Sequence, residues 1–143
     1  MVGKNLSVLL VEDSQLLADR LREIMQATPG IDLVATVDNE LAAIALLRRQ
    51  PIDVVLLDLH LHGGTGFGVL RAIHNGEGDG VTAIVLTNHD LGEYRRAAAA
   101  LGARYFLDKL RDFDRLPDLL QKINAPAGEG AAGIEAMSLD CAY

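Results

Sequence analysis

Five short apolar runs, each ending in a polar or charged residue, alternate along this chain with segments whose apolar residues recur at helical spacing. That rhythm is the tightest constraint on the fold. Residues 7–11 (SVLLV) and 53–57 (DVVLL) are apolar without alternation, the signature of strands covered on both faces. Residues 31–37, 81–86 and 103–107 complete five expected strands. Between them, Ser14 is placed to cap a helix carrying Leu16, Leu17, Leu21, Ile24 and Met25, which the Pro29-Gly30 pair stops. Asn39 caps a second helix running to about Gln50, just before Pro51. A third is expected from Phe67 to His74 and a fourth, Ala-rich, from about Asp90 to Leu101. The last spans Asp112 to Ile123, with a start nearer Leu116 if Pro117 sits in its first turn. Strands alternating with helices predict a doubly wound α/β domain: a five-stranded parallel sheet with five helices. Residues 1–124 form that domain, and 125–143, rich in Ala and Gly, read as a flexible tail with 134–139 docking weakly.

In a doubly wound sheet, ligands sit beyond the carboxyl ends of the strands. Glu12 and Asp13 follow the first strand, Asp58 the third, Thr87 the fourth and Lys109 the fifth. Strands 1, 3 and 4 are neighbours at the centre of such a sheet, so these side chains converge. Three converging carboxylates repel one another, and a hard divalent cation relieves the repulsion; Mg²⁺ suits an all-oxygen site that keeps waters. The chemistry this set supports is attack of a carboxylate on phosphorus, giving an aspartyl phosphate. Asp58 is the expected nucleophile. Asp13 and Asp58 hold the metal, Asp13 directly or with Glu12 through water, and the backbone carbonyl of His60 could add a ligand. Lys109 and Thr87 contact phosphoryl oxygens.

The segments VLLVEDS (8–14), VVLLDLHL (54–61), AIVLT (83–87) and GARYFLDK (102–109) together resemble the receiver domain of bacterial two-component response regulators. The likeness is to a chemotaxis-regulator-like single domain with the flavodoxin-like receiver fold. The resemblance implies phosphorylation of Asp58 by a sensor histidine kinase or phosphotransfer protein, with Mg²⁺. It also implies that Thr87 and an aromatic residue on the fifth strand couple phosphorylation to a partner surface made by helix 4, strand 5 and helix 5. By position before Lys109 that aromatic is Phe106, with Tyr105 beside it. His60 and His89 occupy the two positions that tend in this family to set the lifetime of the aspartyl phosphate, and their titration would make that lifetime vary with pH. The chain departs from the usual pattern where Leu110 follows the lysine, where His62 stands in place of a common proline, and where Asn88, rather than a small residue, follows Thr87.

Composition narrows the partners. With 20 acidic against 13 basic residues the formal net charge is −7, which disfavours nucleic acid and anionic membranes. A lone cysteine, Cys141, excludes an internal disulfide and fits a cytoplasmic setting. Output is therefore expected through a downstream effector protein or a homodimer. The competing readings are a Mg²⁺-dependent phosphatase with an aspartate nucleophile, disfavoured because His60 stands where such enzymes carry their second Asp, and an interaction module that works without phosphorylation. Zinc on His60 and His62 lacks the third and fourth ligands such a site needs.

Overall fold

A computed structural model describes residues 5–78, 80–88, 92–109 and 111–125. The element order is β1 (Leu6–Val11), α1 (Gln15–Gln26), β2 (Ile31–Val37), α2 (Glu40–Arg49), β3 (Val54–Leu57), α3 (Gly66–His74), β4 (Thr82–Thr87), α4 (Gly92–Ala100), β5 (Tyr105–Asp108) and α5 (Leu116–Asn124), with one 3₁₀ turn at Phe113–Arg115 before α5. All described strand pairings are parallel, in the order β2-β1-β3-β4-β5. This is the expected doubly wound sheet.

The sequence predicts the helix starts through short polar side chains, and two of those caps form as expected. Ser14 accepts from the Leu17 amide and Asn39 from the Ala42 amide. The third start lies one residue earlier than expected: Thr65 accepts from the Gly68 amide and α3 begins at Gly66. The last helix begins at Leu116, with Pro117 in its first turn, and the 3₁₀ turn occupies the segment from Asp112 onward that the longer alternative assigned to the helix. The origin of α4 around 89–91 and the tail, 126–143, lie outside the described residues.

The two central strands explain their unalternating sequences. Val54, Val55, Leu56 and Leu57 are fully buried because helices cover both sides of the sheet. One core joins Leu9, Val55, Leu57, Val85 and Phe106 to α2, α3 and α4 through Ala43, Leu47, Leu70 and Ala98. The other joins Val8, Leu10, Leu56, Ile84, Tyr105 and Leu107 to α1 and α5 through Leu21, Met25, Leu116 and Leu119. Leu16 departs from the helical stripe assigned to it and is 73% exposed, since it projects from the first turn of α1 away from the sheet.

Candidate functional site

Register brings the strand ends together. Val11 pairs with Leu57, so Glu12 and Asp58 leave the sheet side by side, and the Asp58 amide donates to the Val11 carbonyl. Thr87 pairs with Asp108, and the Lys109 amide donates to the Thr87 carbonyl. Carboxylate oxygens of Glu12, Asp13 and Asp58 lie within 4.8 Å of one another. Hard oxygen donors at that spacing fit a small divalent cation, as expected from their types.

Lys109 occupies the other side of this acidic cup. Its Nζ lies 2.8 Å from Asp58 Oδ2 and 2.9 Å from Glu12 Oε1. The three side chains are nearly excluded from water, at 5% for Lys109, 2% for Glu12 and 8% for Asp58. Burial pulls the Lys109 ammonium toward deprotonation, but the hydrogen bonds and charges of Asp58 and Glu12 outweigh it and hold its pKa above the ordinary value. The lysine is thus a fixed positive charge. Thr87 is fully buried at the end of β4, two residues beyond Val85 and therefore on the same face of the sheet.

Backbone geometry behind Asp58 depends on a glycine. A side chain on Gly66 would collide with the Asp58 carbonyl and come 2.8 Å from the Leu59 Cα, so α3 can start this close to the strand end only with glycine there. The Gly66 amide donates to the Leu59 carbonyl at 3.0 Å.

The remaining sequence-derived candidates separate. His60 donates its amide to Asp58 Oδ1 at 3.1 Å, while its ring packs 5.4 Å from Tyr94 of α4. Phe106 faces α4, where the Arg95 guanidinium lies 4.6 Å from its ring centroid. Tyr105 points the opposite way, into the core beneath α1 and α5, as strand alternation requires. Its buried hydroxyl finds no hydrogen-bond partner among the described residues, and burial raises its pKa. His89 lies outside the described residues.

Three sets of contacts were not foreseen in the sequence. His62 donates its amide to Asp13 Oδ2 at 2.7 Å and sets its ring nitrogen 3.1 Å from the same oxygen. Arg95 is 6% exposed beneath α4 despite its charge. The turn after Lys109 is held by carboxylates: the Asp108 amide donates to Asp112 Oδ2 at 2.7 Å and the Arg111 amide to Asp108 Oδ1 at 3.1 Å. Only the spacing of Asp108 and Asp112 offered a signal, as acids four apart flanking a turn.

A five-stranded doubly wound sheet with an acid cup and a buried lysine at its carboxyl edge defines a class of α/β domains that bind ligands at strand ends. The comparisons place the chain within that class. Residues 8–121 match the model of the response regulator receiver domain, and the chain belongs to that family. It is 37% identical over 123 residues to the nitrate/nitrite response regulator protein NarP of Escherichia coli, an alignment covering 84% of this chain and 54% of NarP. The Fimbriae Z protein of Salmonella typhimurium is 25% identical over 120 residues, covering 84% of this chain and 57% of the relative. The chain therefore spans about half the length of these two relatives. Among solved structures, the CheX-CheY-BeF3-Mg complex from Borrelia burgdorferi supplies a match with a TM-score of 0.77 at 20% identity, covering 87% of this chain and 92% of that one, a likeness of fold. No helix among the described residues is long and apolar enough to cross a membrane.

Proposed function

We propose that this domain is a phosphoryl-accepting switch whose acceptor is Asp58. The observation that carries the reading is the buried Lys109 ammonium shared between Asp58 and Glu12, within a cup whose third acid is Asp13. A buried charge cluster of this kind is costly to maintain for stability alone.

In the proposed step an Asp58 oxygen attacks the phosphorus of a phosphohistidine on a sensor histidine kinase or phosphotransfer protein. The new O–P bond forms as the P–N bond breaks, and its electron pair stays on the departing imidazole nitrogen, which is then protonated from solvent. Mg²⁺, held by Asp13 and Asp58 with Glu12 and the His60 carbonyl in support, would supply positive charge to the phosphoryl oxygens. Lys109, now on Asp58 Oδ2, moves to a phosphoryl oxygen. The Thr87 hydroxyl donates to another. Charge is thus stabilised by groups carried at neighbouring strand ends, which need only short shifts, rather than by proton transfer.

Drawing Thr87 toward the phosphoryl group alters the space beside it on the same face, where Phe106 lies under Arg95. The switched surface is the face of α4, β5 and α5, and it acts on an effector protein or a second copy of the chain, in the cytoplasm and without direct contact to nucleic acid. The domain itself catalyses only its own phosphorylation and dephosphorylation. Beryllofluoride with Mg²⁺ should bind wild type and not Asp58→Asn, and a small phosphoramidate should add one phosphoryl group to the intact mass of wild type alone. Failure of wild type to respond to either would overturn the reading in favour of a module that works without phosphorylation.

A further inference from the structure

The loop from Asp58 to α3 supplies backbone donors to two of the three clustered acids. The His60 amide donates to Asp58 Oδ1 and the His62 amide to Asp13 Oδ2. Where these carboxylates point therefore depends on where the loop lies. The other end of the loop is fastened to α2. The Glu40 amide donates to the Gly63 carbonyl at 2.9 Å, Asn39 and Gly63 form a parallel bridge, and the Thr65 amide donates to Glu40 Oε1 at 3.0 Å. Thr65 is in turn the bridge partner of His60. Displacement at Thr65 thus reaches the Asp58 donor directly.

The Glu40 carboxylate has a seat cut for it. Its side chain lies against Gly64 and Gly68, and a Cβ on Gly68 would collide with both carboxylate oxygens. Gly64 has φ +93°, where a Cβ would stand 2.6 Å from Glu40 Cβ and Oε1. Glycine at the third position of a helix is otherwise an unfavourable choice. It is explained here by the room it leaves for an acid from another helix, beside the positive end of α3.

We infer that Glu40 is a positioning residue for the acidic cup: seated between Gly64 and Gly68, it fastens the loop whose amides orient Asp13 and Asp58, and so sets the affinity of the cup for a divalent cation. The inference rests on the proposed reading of the cup as a cation site but not on phosphorylation. Removing a hydrogen-bonded support of ligand carboxylates commonly weakens metal binding by about tenfold or more. Glu40 acts through one intervening segment, so a loss of roughly three- to tenfold is expected on the same basis.

The test measures Mg²⁺ affinity by calorimetry, and Thr65 amide exchange in the metal-free protein, for wild type, Glu40→Ala and Glu40→Gln. Glu40→Ala should bind Mg²⁺ three- to tenfold more weakly and expose the Thr65 amide. Glu40→Gln keeps an acceptor for that amide and should restore both. A thermal cycle adds a second readout: Gly68→Ala should lower the melting temperature of wild type by displacing Glu40, and raise it in the Glu40→Ala background, where only helix propensity remains. Equal Mg²⁺ affinity and equal Thr65 exchange in wild type and Glu40→Ala, or Gly68→Ala raising the melting temperature equally in both backgrounds, would overturn the inference. If these results hold while beryllofluoride fails to bind wild type, the phosphoacceptor reading falls and the role of Glu40 stands.

Discussion

The two faces of the sheet are built from the same aliphatic residues but differ in what their polar atoms do. Beneath α1 and α5 the buried core is leucine, isoleucine, valine, methionine and one alanine, with Tyr105 as its polar side chain, the hydroxyl unpartnered among the described residues. The guanidiniums of Arg20, over Phe113, and Arg104, over Tyr105, lie outside that buried cluster. Beneath α2, α3 and α4, the polar groups are tied to the strand-end site. Arg95 lies over Phe106, Tyr94 packs on His60 and Phe67, and Glu40 holds the loop that reaches Asp58. One face anchors the sheet, and the other connects the acid cup to the helices beside it. A face that must respond to a change at the strand ends needs contacts with more than one arrangement, and the buried Arg95 and the Tyr94 ring packed on His60, on flexible stems beside the site, provide them better than close-packed leucines.

That contrast can be broken or sharpened by substitution. The largest effect is expected at the junction of the faces. Lys109→Met leaves Glu12 and Asp58 buried without their shared cation, and should cost about 3–5 kcal/mol in metal-free chemical denaturation, with Mg²⁺ restoring part of it. Survival of full stability would mean that the acids are relieved in another way. The pH dependence has a definite sign. The folded pKa of Lys109 is raised, so its contribution is complete below its ordinary value of 10.5 and is lost as pH climbs through the folded value. The alkaline limb of wild-type stability should therefore be steeper than that of Lys109→Met.

On the anchoring face, Tyr105→Phe removes the orphaned hydroxyl and should stabilise by about 1 kcal/mol or slightly more. Tyr105 also has a raised folded pKa, so its removal should flatten stability loss above its ordinary value of 10.0. A destabilised Tyr105→Phe in urea titration would show that the hydroxyl has a role the contrast denies it. On the connecting face, Arg95→Met keeps the stem but removes the charge over Phe106, with an expected loss of about 1 kcal/mol and a larger change in the beryllofluoride-bound form than in the free one. Equal losses in both forms would make Arg95 a static support. The smallest effect belongs to the surface: Arg48→Ala breaks an exposed pair with Glu77 at 2.9 Å and should change the denaturation midpoint by the equivalent of about 0.5 kcal/mol or less.

The caps and strands differ from the clamp and the stacked arginine in how far their physics reaches along the chain. Ser14 and Asn39 act on amides three residues away, so their meaning was legible as soon as the following apolar spacing was seen. Asp58, Thr87 and Lys109 were legible as a set because each ends an apolar run, and parallel strands carry their ends to one edge. Nothing local distinguishes Glu40 from any other first-turn acid, or the glycines of 63–68 from those of an ordinary turn. Their complementarity appears only when α2 and α3 lie side by side. Arg95 was hidden in an Ala-rich helix, where a charged residue is expected to face water. Tyr105 and Phe106, paired as switch candidates in the sequence, fall on opposite faces; strand alternation separates them, and only the packed helices show that it is Phe106 that faces α4.

By itself, the order of residues determined the fold class and the composition of the cup, since burial on two faces and charge at strand ends are written in local pattern. Tertiary structure alone decided which carboxylate Lys109 and His62 contact, which aromatic meets α4, and why glycine stands opposite Glu40. Those are contacts between segments far apart in sequence, fixed by register and helix packing at the scale of a single methyl group, and no local periodicity encodes a distance of that size.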